Sequence, residues 1–192
     1  MRAPVIITLS ALLAAAAATS AAGASLVLGG GSAQACYEAA RSTDHRGPAG
    51  NTQLDTCTRA LETEALPVRD RAGTFVNRGI LRMSRLEYAA ALEDYSAAVR
   101  LQPKSGVAHV NRGAALIGLG RAEEGVTAID YGLSLGAEQP ENAYFNRGYA
   151  REQLGDVKGA YLDFSRAAEL RPDWALPRQE LARFTVRTPD QG

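Results

Sequence analysis

Two cysteines, two histidines and a recurring Asn-Arg-Gly are the side chains of this chain with most scope for chemistry. Cys36 and Cys57 stand 21 positions apart. An even cysteine count suits a disulfide in an oxidising compartment. Two other states stay open. Cys36 follows Ala35 as a lipid-modified terminus would, although "AQA" lacks the usual Leu three places earlier, and both thiols could be free and buried. His45 and His109 have no ligand spacing around them and no paired nucleophile, so solvated or packing imidazoles are expected rather than metal ligands or a catalytic base. The run "GGGS" at 29 to 32 lacks the Lys-Ser/Thr of a phosphate loop. The expectation is a chain without catalysis, metal or cofactor.

Asn-Arg-Gly occurs at 77–79, 111–113 and 146–148, after intervals of 34 and 35 residues. Such a period marks a stacked helical array, in which each unit is too small to bury its apolar face alone. Small residues recur in register: Ala91, Gly125 and Ala160, then Ala98, Gly132 and Ala167. On paired antiparallel helices they would let the axes approach closely. Tyr95, Ile129 and Phe164 fill the core side of the second helix. Gly120 and Gly155 mark left-handed turns between helices. Leu86 holds that place in the first copy, so a different turn is expected there. Pro103 and Pro172 close the first and third units, and the middle one ends in "GAEQP".

This pattern resembles the tetratricopeptide repeat: glycine at the eighth position, small residues at the twentieth and twenty-seventh, an aromatic at the twenty-fourth and proline at the thirty-second. The resemblance covers residues 72–174 as three units, 72–105, 106–140 and 141–174. It implies an all-α solenoid of antiparallel helix pairs. Arginine replaces the family's leucine at the seventh position, where an unpaired guanidinium would be costly. The family's helix pairing puts Arg78 near Asp94 and Arg147 near Asp163, and two ion pairs are expected; snorkelling to water is the alternative. Arg112 instead meets Ala128, with Asp130 two residues on.

The resemblance also implies a concave surface bordered by Asn77, Asn111 and Asn146. Asparagine offers a donor and an acceptor and can hold peptide amides, as in the asparagine ladder of O-linked N-acetylglucosamine transferases, or it can bond locally. Val76, Ile80 and Met83, then Val107, Val110 and Ile117, then Phe145, Tyr149, Glu152 and Gln153 would line that groove. Val76 and Ile80 stand where chaperone-tail-binding relatives carry the Lys and Asn of a carboxylate clamp. An acidic C-terminal tail is therefore a poor ligand. An apolar stripe of this kind is also what a buried core would show.

The 192 residues contain 21 basic and 21 acidic side chains and are 46% apolar, enough for a core and without the excess charge that nucleic acid binding requires. Residues 3–37 carry no charge, and Arg2 before an Ala-rich apolar run suggests an export signal over 1–35, cleaved after Ala24 or Ala35. An uncleaved anchor is the alternative, and either places the repeats outside the cytoplasm, periplasmic or secreted. Residues 36–71 suggest a short helical hairpin joined by the disulfide, 175–186 a capping helix and 187–192 a frayed tail. The expected function is a non-catalytic adaptor binding a protein or peptide. A structural or self-associating envelope protein and an accessory subunit of an envelope complex are the alternatives.

Overall fold

In a computed structural model the chain is described at residues 6–9, 23–27, 31–43 and 48–187. Its helices alternate in direction as successive hairpins. Helices α1 (Gly31–Arg41) and α2 (Asn51–Thr63) form the first pair, and α3 (Val68–Ser84) with α4 (Tyr88–Leu101) the second. Helices α5 (Gly106–Gly118) and α6 (Ala122–Ser134), then α7 (Pro140–Gln153) and α8 (Val157–Leu170), complete the array. A short α9 (Ala175–Leu181) packs on α8. Among the described residues, no helix is long and apolar enough to cross a membrane.

Within each repeat the glycine of Asn-Arg-Gly seats the large side chain of the partner helix. A Cβ on Gly79 would lie 2.5 Å from the Tyr95 ring, on Gly113 2.6 Å from Ile129, and on Gly148 2.8 Å from the Phe164 ring. In the middle unit the approach is backbone to backbone: a Cβ on Gly132 would stand 2.8 Å from the Gly106 carbonyl oxygen. Fully buried Tyr95, Ile129 and Phe164 thus form the spine of the solenoid.

The three turns inside the repeats are alike. Leu86 adopts φ 62°, close to 75° at Gly120 and 78° at Gly155, so the first turn uses the same left-handed residue despite its side chain. Each is closed by the same long hydrogen bond, from Glu87 N to the Arg82 carbonyl, Arg121 N to Leu116 and Asp156 N to Arg151. Packing imposes the conformation, because the following helix must fold back at one fixed angle. A left-handed leucine costs roughly 1–2 kcal/mol, and Leu86 is exposed and contributes little burial in return. Leu86→Gly is expected to stabilise the fold by about 1 kcal/mol, measured by chemical denaturation; an unchanged midpoint would show the turn to be unstrained.

The N-terminal hairpin begins earlier than the sequence suggests, at Gly31, because the Glu64 carboxylate satisfies the first turn. It accepts from Ser32 N at 2.6 Å and Ala33 N at 3.3 Å, an acid placed against the positive end of a helix. Cys36 and Cys57 are joined by a disulfide. Both are buried and pack with Val76, Ile80 and Leu81 of α3.

At the far end the capping helix stops at Leu181 rather than running to 186. Residues Phe184–Arg187 form a strand, β2, antiparallel to β1 (Ile6–Leu9), with Phe184 opposite Leu9 and Arg187 opposite Ile6. Thr185 and Val186 are β-branched and favour extended backbone, and the Phe184 ring is buried against Tyr161 and Phe164. Arg187, assigned to the frayed tail, belongs to this strand; residues 188–192 lie outside the described residues. Most of the segment expected to be an export signal also lies outside them.

Candidate functional site: the concave face and the arginine clusters

Helices α1, α3, α5 and α7 lie side by side and form one face of the array. Across it runs the extended piece Gly23–Val27. The Asn77 side chain holds this piece by its backbone: Ser25 N donates to Asn77 Oδ1 at 2.8 Å, and Asn77 Nδ2 donates to the Ser25 carbonyl at 2.9 Å. That is the backbone donor and acceptor of one residue, Ser25, met by one side-chain amide. The segment packs on Gly73, one turn earlier on α3, where a Cβ would lie at contact distance, 3.4 Å, from both Ser25 Cβ and Val27 Cγ2. Gly23 abuts the Gln139 side chain before α7, and Val27 is buried with Ala33 and Ala60 of the first hairpin. A cleft of about 420 Å³ continues beside the piece, lined by Arg69, Gln102, Lys104, Gly106 and Glu138 among others.

The other sequence-assigned groove residues take different places. Asn111 and Asn146 are buried at the positions equivalent to Asn77. Val76, Ile80 and Met83 are buried in the cluster that holds the disulfide, Val110 and Ile117 pack around Ile129, and Phe145 stacks among Tyr149, Phe164 and Trp174. They form the seam between successive units rather than an open apolar groove, because they pack against side chains of the neighbouring helices. Tyr149 ties down the cap: its hydroxyl donates to Glu180 Oε1 at 2.5 Å, and burial followed by that bond pushes the phenol above its usual pKa. Arg183 bridges Glu152 at 2.5 Å and Glu180 at 2.5 Å.

The structure brings Arg78 to Asp94 and Arg147 to Asp163, each through two guanidinium nitrogens, with shortest contacts of 2.7 Å and 2.6 Å. Each acid serves a second arginine as well. Asp94 accepts from Arg82 at 2.8 Å and Asp163 from Arg151 at 2.9 Å. Sequence reasoning missed this second partner, although Arg82 and Arg151 follow Arg78 and Arg147 by four residues, one turn along the same face. The third nitrogen of Arg78 reaches Thr58 Oγ1 at 3.1 Å, and that of Arg147 reaches Asp130 at 2.5 Å. Burial disfavours the Arg147 charge, yet its bonds to Asp163 and Asp130 outweigh this and hold the guanidinium above its ordinary pKa.

His109 Nε2 donates to the Pro103 carbonyl at 2.9 Å, and the ring meets Tyr131 edge-on. His45 lies outside the described residues. Among those described, no group of three His, Cys, Asp or Glu side chains is arranged to hold a metal.

No protein-family model matches the chain, and no curated protein matches it. Several solved structures share its fold. The Arabidopsis OM64 TPR domain is 23% identical with a TM-score of 0.54, covering 58% of this chain and 92% of that one. The first TPR of Spaghetti (RPAP3), bound to the HSP90 peptide SRMEEVD, is 24% identical with a TM-score of 0.53, covering 58% and 89%. MamA from Desulfovibrio magneticus RS-1 is 16% identical with a TM-score of 0.57, covering 79% and 82%.

Proposed function

We propose that this chain, which has the tetratricopeptide-repeat fold, is a non-catalytic adaptor that binds an extended peptide segment of a protein partner across its concave face. The observation that carries this reading is the double hydrogen bond between Asn77 and the backbone of Ser25. It recognises a peptide unit without reading its side chain, and Gly23–Val27 occupies the face as a stand-in ligand. The peptide-bound neighbour holds the HSP90 peptide SRMEEVD, but Val76 and Ile80 here supply no charge for its acidic residues. The ligand is an extended segment held by its backbone, as Gly23–Val27 is.

Its place of action outside the cytoplasm rests on the uncharged N-terminus after Arg2 and on the paired cysteines, which need an oxidising compartment. The two candidate cleavage sites would have opposite effects. Cleavage after Ala24 keeps Ser25 and the occupied face, whereas cleavage after Ala35 removes both Ser25 and the first turn of α1.

A chain beginning at Gly31 should bind a labelled Gly-Ala-Ser-Leu-Val peptide in fluorescence anisotropy, and Asn77→Ala should weaken that binding about tenfold through two lost hydrogen bonds. Equal affinity in the two proteins overturns the reading. Self-association is the second reading, favoured by the same contact, since Gly23–Val27 of one copy can fill the face of another. Full-length chain that dimerises in light scattering, and loses the dimer on Asn77→Ala, would support it.

A further inference from the structure

The middle repeat breaks the arginine pattern at every position that matters. Arg112 is the counterpart of Arg78 and Arg147, but Ala128 replaces the acid found as Asp94 and Asp163. Ser96 replaces the cross-repeat acid Asp130, and Leu116 replaces the second arginine, Arg82 or Arg151. The guanidinium keeps a half-buried setting without either carboxylate. Its Nε is buried with no hydrogen-bond partner among the described residues, where the equivalent atoms donate to Asp94 at 3.0 Å and Asp163 at 2.8 Å. Nearby, His109 Nδ1 is likewise buried and without a partner among them.

Arg112 and His109 are among the residues lining a cleft of about 790 Å³ between α4 and α6, walled by Leu92, Leu116 and Tyr131, with these two nitrogens buried beneath its surface. The volume is that of a small-molecule site, its apolar walls interleaved with polar residues that include Ser96, Arg112, Arg121 and Thr127. Glu124 at its rim is engaged with Arg121 at 2.6 Å. The cleft shares no lining residue with the one beside Gly23–Val27.

We propose that this cleft is a binding site for a carboxylate carried on an apolar body, with Arg112 taking the ligand's carboxylate where Asp94 and Asp163 serve the outer repeats. The buried Nε is a donor that costs free energy until met, and a carboxylate that reached it could bond a second nitrogen of the planar fork at once. The outer repeats show the geometry such a carboxylate would adopt: one oxygen toward Nε and the other toward Nη2. Leu116 in place of a second arginine makes the site take a single negative charge against an apolar wall. The proposal stands apart from peptide binding on the concave face and does not require it.

The test is titration of the full chain with 3-phenylpropionate and its neutral amide, following the Arg112 Nε–H cross-peak and the Tyr131 ring signals by NMR. A saturable shift with the acid and none with the amide is expected. Ala128→Asp supplies the carboxylate from within the repeat; it should weaken binding at least tenfold and raise Tm by about 2–4 °C. Should that variant misfold, Ser96→Asp, which places an acid where Asp130 stands in the next repeat, should have the same effect on binding. N-acetyl-Ala-Phe with free and amidated C-termini separates the sources: tighter binding of the free form than of 3-phenylpropionate assigns a peptide terminus, and weaker binding a small molecule. No saturable shift with any acid, or the same shift in Ala128→Asp, overturns the proposal.

Discussion

Replacing Asp94 with alanine is expected to destabilise the fold by about 3–5 kcal/mol, the usual cost of removing one partner from a buried ion cluster. The acid is buried and accepts from three guanidinium nitrogens, two of Arg78 and one of Arg82. Its loss leaves two half-buried charges one turn apart on α3, both turned toward α4, with only Thr58 and the Ala90 carbonyl among the described residues still bonded to them. Thermal unfolding should fall by roughly 10 °C for a fold of this size. The cause is separable from lost packing. Adding Arg78→Leu and Arg82→Leu to Asp94→Ala should recover most of the stability, because a buried ion group exchanged whole for apolar side chains is often neutral. Leucine is also what the repeat family carries at the first of these positions. A triple variant no more stable than Asp94→Ala would show that the charges were not the source of the loss.

The same cluster shows what a sequence can disclose and what it cannot. Helix pairing follows from period and small residues, and once two helices are known to be antiparallel, Arg78 and Asp94 are placed opposite each other by counting. Arg82 and Arg151 were within reach of the same count, one turn further along. The turn at Leu86 was not legible, since leucine disfavours φ near 62° and only the fixed return angle of the next helix imposes it.

The concave face was half legible. The resemblance put Asn77 on the binding side, but that Val76, Ile80 and Met83 would be buried depends on α1, whose start is set by Glu64 from the other end of the hairpin. Nor does any local signal in Phe184–Arg187 foretell β2, because the strand exists by pairing with residues some 178 positions earlier. Long-range partners of this kind leave no periodicity in the sequence.

Reducing the disulfide is expected to destabilise the fold by about 3 kcal/mol, the entropy of closing a loop whose ends are 21 residues apart. The loss should not spread evenly. In a stacked array each pair leans only on its neighbours, so the N-terminal hairpin should loosen first and expose Val76, Ile80 and Leu81 on α3. Gly23–Val27 is anchored to that hairpin through Val27, Ala33 and Ala60, and to α3 through Asn77. Opening the hairpin removes one of its two anchors. Hydrogen exchange after mild reduction, or in the Cys36→Ala, Cys57→Ala double variant, should therefore show faster exchange over residues 25–43 and 51–63 while α7 and α8 keep their protection. A uniform increase across all helices would mean that the solenoid unfolds as one unit and that the bridge supports the whole array rather than its end. If the local outcome holds, redox state and occupancy of the concave face are coupled. A reduced chain should then bind the Gly-Ala-Ser-Leu-Val peptide more readily than an oxidised one, since its own segment competes less well.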